Sequence, residues 1–150
     1  MRLNSTPRRG ATVVEFAIVG PVALFLLIGL VVAGMGTFRY QEVAYLARQA
    51  SRYASVHGTR YASETGQPAA TAQDVYNNAI AGQNVGLDLS QLNYSVTWNT
   101  DNSPSHTQTV NGQQVNVTNK VRVTITYQWI PEAYFGGVTM TSTSETPMSN

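Results

Sequence analysis

Glu15 is the one ionisable side chain between Arg9 and Arg39, and it stands where a charge needs a partner. The stretch RRGATVVEF runs into residues 16–38, FAIVGPVALFLLIGLVVAGMGTF, which contain no Asp, Glu, Lys or Arg. A carboxylate carried into a membrane core costs about 2.5 kcal/mol or more and usually marks a function or a partner. The spacing offers a cation. Cleavage after Gly10 would leave Ala11 with a free, positively charged amine and make Glu15 the fifth residue of the shortened chain. Residues four apart share a helix face, but the better partner is the amine of a neighbouring helix packed alongside. Two charges buried as a pair are tolerated where either alone is not, and the pairing penalises a wrong axial register. If such a cleavage occurs, Gly10, Ala11 and Glu15 offer peptide-bond processing followed by charge pairing between helices.

No other constellation points to catalysis. His57 and His106 are the only histidines, and neither has an acid at a spacing suited to a metal or a triad, so both read as loop or helix-end residues. Glu64, Asp74, Asp88, Asp101, Glu132 and Glu145 are scattered, without a paired-carboxylate arrangement. Asp101, Asn102 and Ser103 lack the spacing of a calcium loop, and Gly136 and Gly137, following Tyr134 and Phe135, read as a turn rather than a phosphate cradle. With no cysteine, disulfides, thiolate zinc sites and cysteine nucleophiles are excluded. No catalytic residue, metal site or cofactor is expected. Charge argues against nucleic-acid binding: after Gly10 the chain carries six basic and eight acidic side chains, with no basic cluster on a folded face.

The elements that must position these residues begin with the apolar run. About 23 residues, roughly 34 Å as a helix, cross a hydrocarbon core of about 30 Å. A cleaved secretory signal would have a shorter apolar region, about 7 to 15 residues. An uncleaved signal anchor fits the length, and Arg2, Arg8 and Arg9 favour a cytoplasmic N-terminus, but it leaves Glu15 unexplained. Cleavage after Gly10 is the third reading. Pro21 removes a helical hydrogen bond to Ala17, so a kink or local melting is expected near Gly20 and Pro21. Gly29, Gly34 and Gly36 make a stripe of small residues that lets another helix approach.

Beyond Phe38 the helical pattern turns amphipathic. Val43, Leu46, Ala50 and Tyr53 recur at three- and four-residue spacing, with Arg48 and Arg52 elsewhere on the surface and Glu42 read as part of a solvated face. One helix over 11–57 follows. Residues 58–70, with Gly66 and Pro68, read as a loop. Thr71 and Asp74 resemble a capping box opening a short helix that stops near Gly82. Residues 92–98 alternate as a strand, 101–106 read as loop, and Asn111-Gly112 marks a type I′ hairpin. Residues 120–130 give the strongest strand, with Val121, Val123, Ile125, Tyr127 and Trp129 on one face, ended by Pro131. Residues 138–144 form a weaker last strand before a frayed tail. Trp98, Tyr127 and Trp129 read as core or cross-strand residues. The expected fold is α+β: a long N-terminal transmembrane and amphipathic helix packed on a small antiparallel sheet of three to five strands. The expected organisation is a leader at 1–10, the helix at 11–57 with its membrane segment at about 16–38, and an extracytoplasmic domain at 58–150.

The basic leader ending in Gly10, the Glu at the fifth following position, Phe16 and the uninterrupted apolar helix resemble a type IV prepilin signal. Over about 8–58 the chain is similar to the TadE-like pseudopilins of tight-adherence (Tad/Flp) pilus systems, through GATVVEF, Pro21 and the Ala/Arg/Tyr-rich LARQASRYASV. The resemblance implies processing by a prepilin peptidase with Gly10 and Glu15 as recognised positions, and a role as a minor pilin. Implied partners are the prepilin peptidase, other pilin subunits, the inner-membrane assembly platform and membrane lipid. The implied location is a single pass through the bacterial inner membrane, N-terminus in the cytoplasm, with the C-terminal domain outside or at the pilus surface. The long C-terminal region departs from the shorter Flp major pilins and argues against a bulk-filament role. The competing expectation is an uncleaved, membrane-anchored extracytoplasmic binding protein; a secreted enzyme has no active site in the sequence to support it.

Overall fold

The computed structural model describes residues 9–131 and 136–149, and it divides into two compact units between Gly36 and Thr37. Among the described residues the first unit is helix alone. Helix α1, Arg9–Val56, contains Pro21 and is continuous through it. A proline inside a helix removes one hydrogen bond, yet the helix runs on through Pro21 without the expected local melting. Within 12–31 every residue but Gly20 is exposed, and the helix is long and apolar enough to cross a membrane.

The second unit is built on the remainder of α1, whose character changes at Arg39. Val43, Leu46, Ala47, Ala50 and Ala54 are fully or almost fully buried, with Glu42, Ser51 and Ser55 on the same stripe. Steps of three and four keep these residues on one helix face. That face packs on strands β1 (Leu92–Trp98), β4 (Lys120–Trp129) and β5 (Val138–Pro147), joined antiparallel in the order β1-β4-β5. Strand alternation makes the match: Val121, Val123, Ile125 and Tyr127 are buried, while the opposite face pairs Thr124 with Thr143 at 3.0 Å, Thr126 with Thr141 at 3.2 Å, and Arg122 with Glu145 at 2.7 Å. Burying side chains the size of Leu46, Ile80 and Ile125 contributes about 1.5–3 kcal/mol each. The Ala and Ser residues of α1 also permit hydroxyl contacts with the sheet, Ser51 Oγ lying 2.8 Å from Ser144 Oγ and 2.9 Å from Thr146 Oγ1.

The fold is α+β, with its long apolar N-terminal helix packed through residues 42–55 against the antiparallel strands, and several local expectations are corrected. There are two sheets among the described residues, because β2 (Ser105–Val110) and β3 (Gln113–Thr118) pair only with each other. Their turn has φ 52° at Asn111 and 79° at Gly112, as a type I′ hairpin requires, and β2 begins inside the expected 101–106 loop. Residues 58–70 contain a helix, α2 (Thr59–Thr65), ended by Gly66 in the left-handed region and braced by the Arg60–Glu64 pair at 2.7 Å. The capping box is present, Asp74 N–H donating to Thr71 Oγ1 at 3.2 Å and Thr71 N–H to Asp74 Oδ2 at 2.9 Å. It opens α3 (Ala72–Val75), which widens into a π-turn over Tyr76–Ile80 and tightens over Ala81–Gln83. The C-terminal tail is tied down rather than frayed: Met148 is buried, Met148 N–H donates to Asn119 O at 2.8 Å, and Ser149 N–H to Ser55 O at 2.9 Å. Glu132, Tyr134 and Phe135 lie outside the described residues.

Candidate functional site

Gly10, Glu15, Phe16 and Pro21 all lie on α1 in the first unit. Helical spacing puts Phe16 one turn before Gly20, and the Phe16 ring lies 3.7 Å from where a Cβ at Gly20 would stand. Phe16, Gly20, Pro21 and Leu24 line a shallow apolar groove along this side of the helix. Phe16 itself is 75% exposed. At Gly10 nothing among the described residues lies within 4 Å of an added Cβ, so packing places no demand for glycine there. Glu15 is exposed and makes no hydrogen bond or ion pair among the described residues. A run of bare apolar side chains on this scale marks a surface that lipid or protein covers.

The second unit gathers polar groups for structure. Among the described residues no three acids or histidines are arranged to hold a metal. Asp101 is turned onto its own loop, accepting from the Ser103 hydroxyl, from Ser103 N–H at 2.8 Å and from Asn119 Nδ2 at 2.9 Å. Those bonds, the Ser103 hydroxyl foremost, hold its carboxyl below the usual aspartate range. His106 lies on β2 with Nδ1 2.6 Å from Asn119 Oδ1. His57, one residue past α1, stacks on Tyr53 at 4.0 Å between ring centres and tilts against Tyr61 at 4.6 Å. Trp98 and Trp129 pack half-buried against the core and Tyr127 is buried in it.

Glu42 corrects the sequence reading most clearly. It is 8% exposed rather than solvated. Its Oε1 accepts Val85 N–H at 2.7 Å, and Oε2 lies 3.9 Å from Arg39 Nη1 without a hydrogen-bond partner among the described residues. Arg39 also donates to Gly86 O. The available signal was spacing: Glu42 stands four residues before Leu46 and eight before Ala50, on the buried stripe.

Residues 10–52 match the family model described as TadE-like protein. No curated protein and no solved structure matches the chain. The chain thus carries a TadE-like domain made of α1 almost to its end, with a pilin-like apolar first half consistent with a single-pass membrane anchor.

Proposed function

We propose that this protein is a minor pilin, or pseudopilin, in the assembly of a tight-adherence type IV pilus. The observation that carries the reading is a coincidence of positions: the family match starts at Gly10, and five residues later stands the only charged side chain between Arg9 and Arg39, on an exposed apolar stretch of helix. In this reading a prepilin peptidase cuts between Gly10 and Ala11 while residues 1–10 are in the cytoplasm and 16–38 cross the inner membrane. The rest of the chain lies outside the cytoplasm. Assembly then moves the helix from lipid to the company of other pilin helices, with Glu15 meeting the new amine of an adjacent subunit. Phe16 and the groove beside Gly20 give the neighbour a shaped apolar surface, and Pro21 supplies the bend or hinge that lets helices adapt to one another. The role is structural: the partners are the peptidase, other pilins and the membrane assembly platform, and no reaction is assigned to the chain.

The test is the N-terminal sequence and intact mass of the membrane-extracted protein from cells that contain a prepilin peptidase. A chain beginning at Ala11 supports the proposal. A chain retaining residues 1–10, unaffected by replacement of Gly10, overturns it in favour of an uncleaved, membrane-anchored binding protein.

A further inference from the structure

Within the second unit, the C-terminal end of α1, the start of α2 and the segment 67–78 border a cavity of about 280 Å³. Tyr53, His57 and Tyr61, four residues apart across the junction of the two helices, form its aromatic side, with successive ring centres 4.0 Å and 4.6 Å apart. Asp74 on α3 and Asn78 on the π-turn form its polar side. Such π-turns are rare and recur at functional positions.

The hydrogen-bonding capacity of this lining is one-sided. His57 Nδ1 lies 2.9 Å from the Tyr53 main-chain oxygen, which can only accept, so Nδ1 carries the hydrogen and Nε2 of the neutral ring is an acceptor. Asn78 Nδ2 donates to Asp74 O at 2.8 Å, which leaves Asn78 Oδ1 to accept. Asp74 Oδ2 accepts from Thr71 N–H at 2.9 Å and from the Thr71 hydroxyl at 2.6 Å, while Oδ1 has no hydrogen-bond partner among the described residues. The ion pairs of the described residues join Arg39 to Glu42, Arg60 to Glu64, and Lys120 and Arg122 to Glu145, and none includes Asp74. The Thr71 hydroxyl and N–H hold the Asp74 carboxyl below the usual aspartate range, so it is ionised at neutral pH. Burial first, and then the Asp74 charge, push the Tyr53 phenol up, so the carboxylate acts on the rings across the cavity.

We infer that this cavity binds a guanidinium group, the side chain of an arginine presented by another subunit. The lining offers a carboxylate oxygen, an amide oxygen and an imidazole nitrogen, all acceptors, to a group that only donates. Aromatic rings beside the carboxylate attract a cation, and a planar one can also stack on them. An ammonium donates too, but it is compact and more strongly hydrated, and suits acceptors spread around a cavity less well. The arginine can come from a second copy of this chain or from a different protein. Arg48 and Arg52 are exposed on α1 and belong to no ion pair among the described residues, so a second copy carries the required group.

His57 and His106 are the only histidines, one lining the cavity and the other on β2. Isotope-labelled histidine in the full-length chain, held in detergent micelles, therefore gives a reporter and a control in one magnetic-resonance spectrum. The probe is N-acetyl-arginine amide. The expected result is a saturable shift of the His57 ring signals with those of His106 unmoved. The uncharged isostere N-acetyl-citrulline amide should bind at least about tenfold more weakly, and both Asp74→Asn and Asn78→Lys should abolish the shift. Asn78 is exposed, and a lysine there keeps the capping box while placing the chain's own cation beside Asp74, so this variant decides the matter even where Asp74→Asn fails to fold. Equal binding of the citrulline amide, a common drift of both histidines, no saturable shift at all, or full binding by folded Asn78→Lys overturns the inference. A His57 shift that grows with protein concentration alone and vanishes in the Arg48→Gln, Arg52→Gln double variant supports it with a second copy as the source. A positive probe titration without that concentration dependence supports it with a different protein as the source.

Discussion

Asn119 Oδ1 lies 2.6 Å from His106 Nδ1, while Asn119 Nδ2 lies 2.9 Å from each of Asp101 Oδ1, Ser103 O and Ser103 Oγ. The acceptors around Nδ2 fix the amide orientation, so the oxygen must face the imidazole and His106 must donate from Nδ1. Asn119 is fully buried, and its main chain adds bonds to Pro104 O and from Met148 N–H. One side chain thus joins the 101–105 segment to the strand that follows it, and its backbone anchors the C-terminal tail.

Replacement of that amide is expected to be costly. Asn119→Ala leaves His106 and the Ser103 carbonyl without their partners, and an unsatisfied buried polar group costs about 1–3 kcal/mol. A loss of about 2–4 kcal/mol is expected, read by thermal unfolding of the detergent-solubilised protein through its near-ultraviolet circular dichroism. A change below about 0.5 kcal/mol, the usual scale of surface substitutions, would show that water replaces the network.

Gly58→Ala should also destabilise, for a steric reason. A Cβ at Gly58 falls inside contact distance of the Asn102 carbonyl oxygen and 2.7 Å from Met148 Cε. The carbonyl cannot retreat freely, because Thr59 N–H donates to it at 3.0 Å and Asn102 Nδ2 donates to Ala70 O at 3.0 Å. Overpacking of this kind costs about 1–3 kcal/mol. An unchanged melting temperature for the alanine variant would mean that the two segments separate without penalty.

These two positions illustrate what was legible in the sequence and what was not. Period and turn chemistry are local, so the buried face of β4, the Asn111-Gly112 turn and the Thr71–Asp74 box could be read directly. The N-terminal family pattern was legible for the same reason, since Gly10, Glu15 and Phe16 lie within seven residues of one another. Asn119, Gly58 and Glu42 act through partners such as His106, Asn102, Met148 and Val85 that are far away in the chain, and no pattern within a short window exposes such contacts. The helix α2 was missed because a polar stretch flanked by glycines suits a loop equally well; its left-handed Gly66 stop becomes decisive only once Arg60 and Glu64 are seen paired.

Stability should fall on acidification, with the loss set by four carboxylates. Asp74 is held below the usual range by the Thr71 hydroxyl and then the Thr71 N–H, Asp88 by the Ser90 hydroxyl and N–H, and Asp101 chiefly by Ser103. Glu145 is lowered by hydrogen bonds first from Arg122 and then from Lys120. Each folded-state value lies below the unfolded one, so the contribution is complete above the unfolded value and disappears as pH falls through the folded one. The melting temperature is expected to be level between about pH 5 and 7 and to decline below about pH 4. Asp74→Asn should lower the plateau and flatten part of the decline. A decline with the same slope in that variant would remove Asp74 from the account.

Glu15 provides the prediction closest to function. Its substitution by alanine removes the only charged side chain between Arg9 and Arg39, so insertion into the membrane should be unimpaired or easier. Assembly should fail, because the amine of Ala11 on a neighbouring processed subunit would then be buried without a counter-charge, a defect of about 3–5 kcal/mol when one member of a buried pair is removed. Glu15→Asp keeps the charge but shortens the reach and should assemble with reduced yield. The measurement is the amount of the subunit in sheared pili against the amount in the membrane fraction, with N-terminal sequencing on the same samples to separate failed cleavage from failed packing. A cleaved Glu15→Ala subunit found in pili at the normal level would show that the carboxylate pairs with nothing in the filament, and charge pairing would have to be abandoned for this chain.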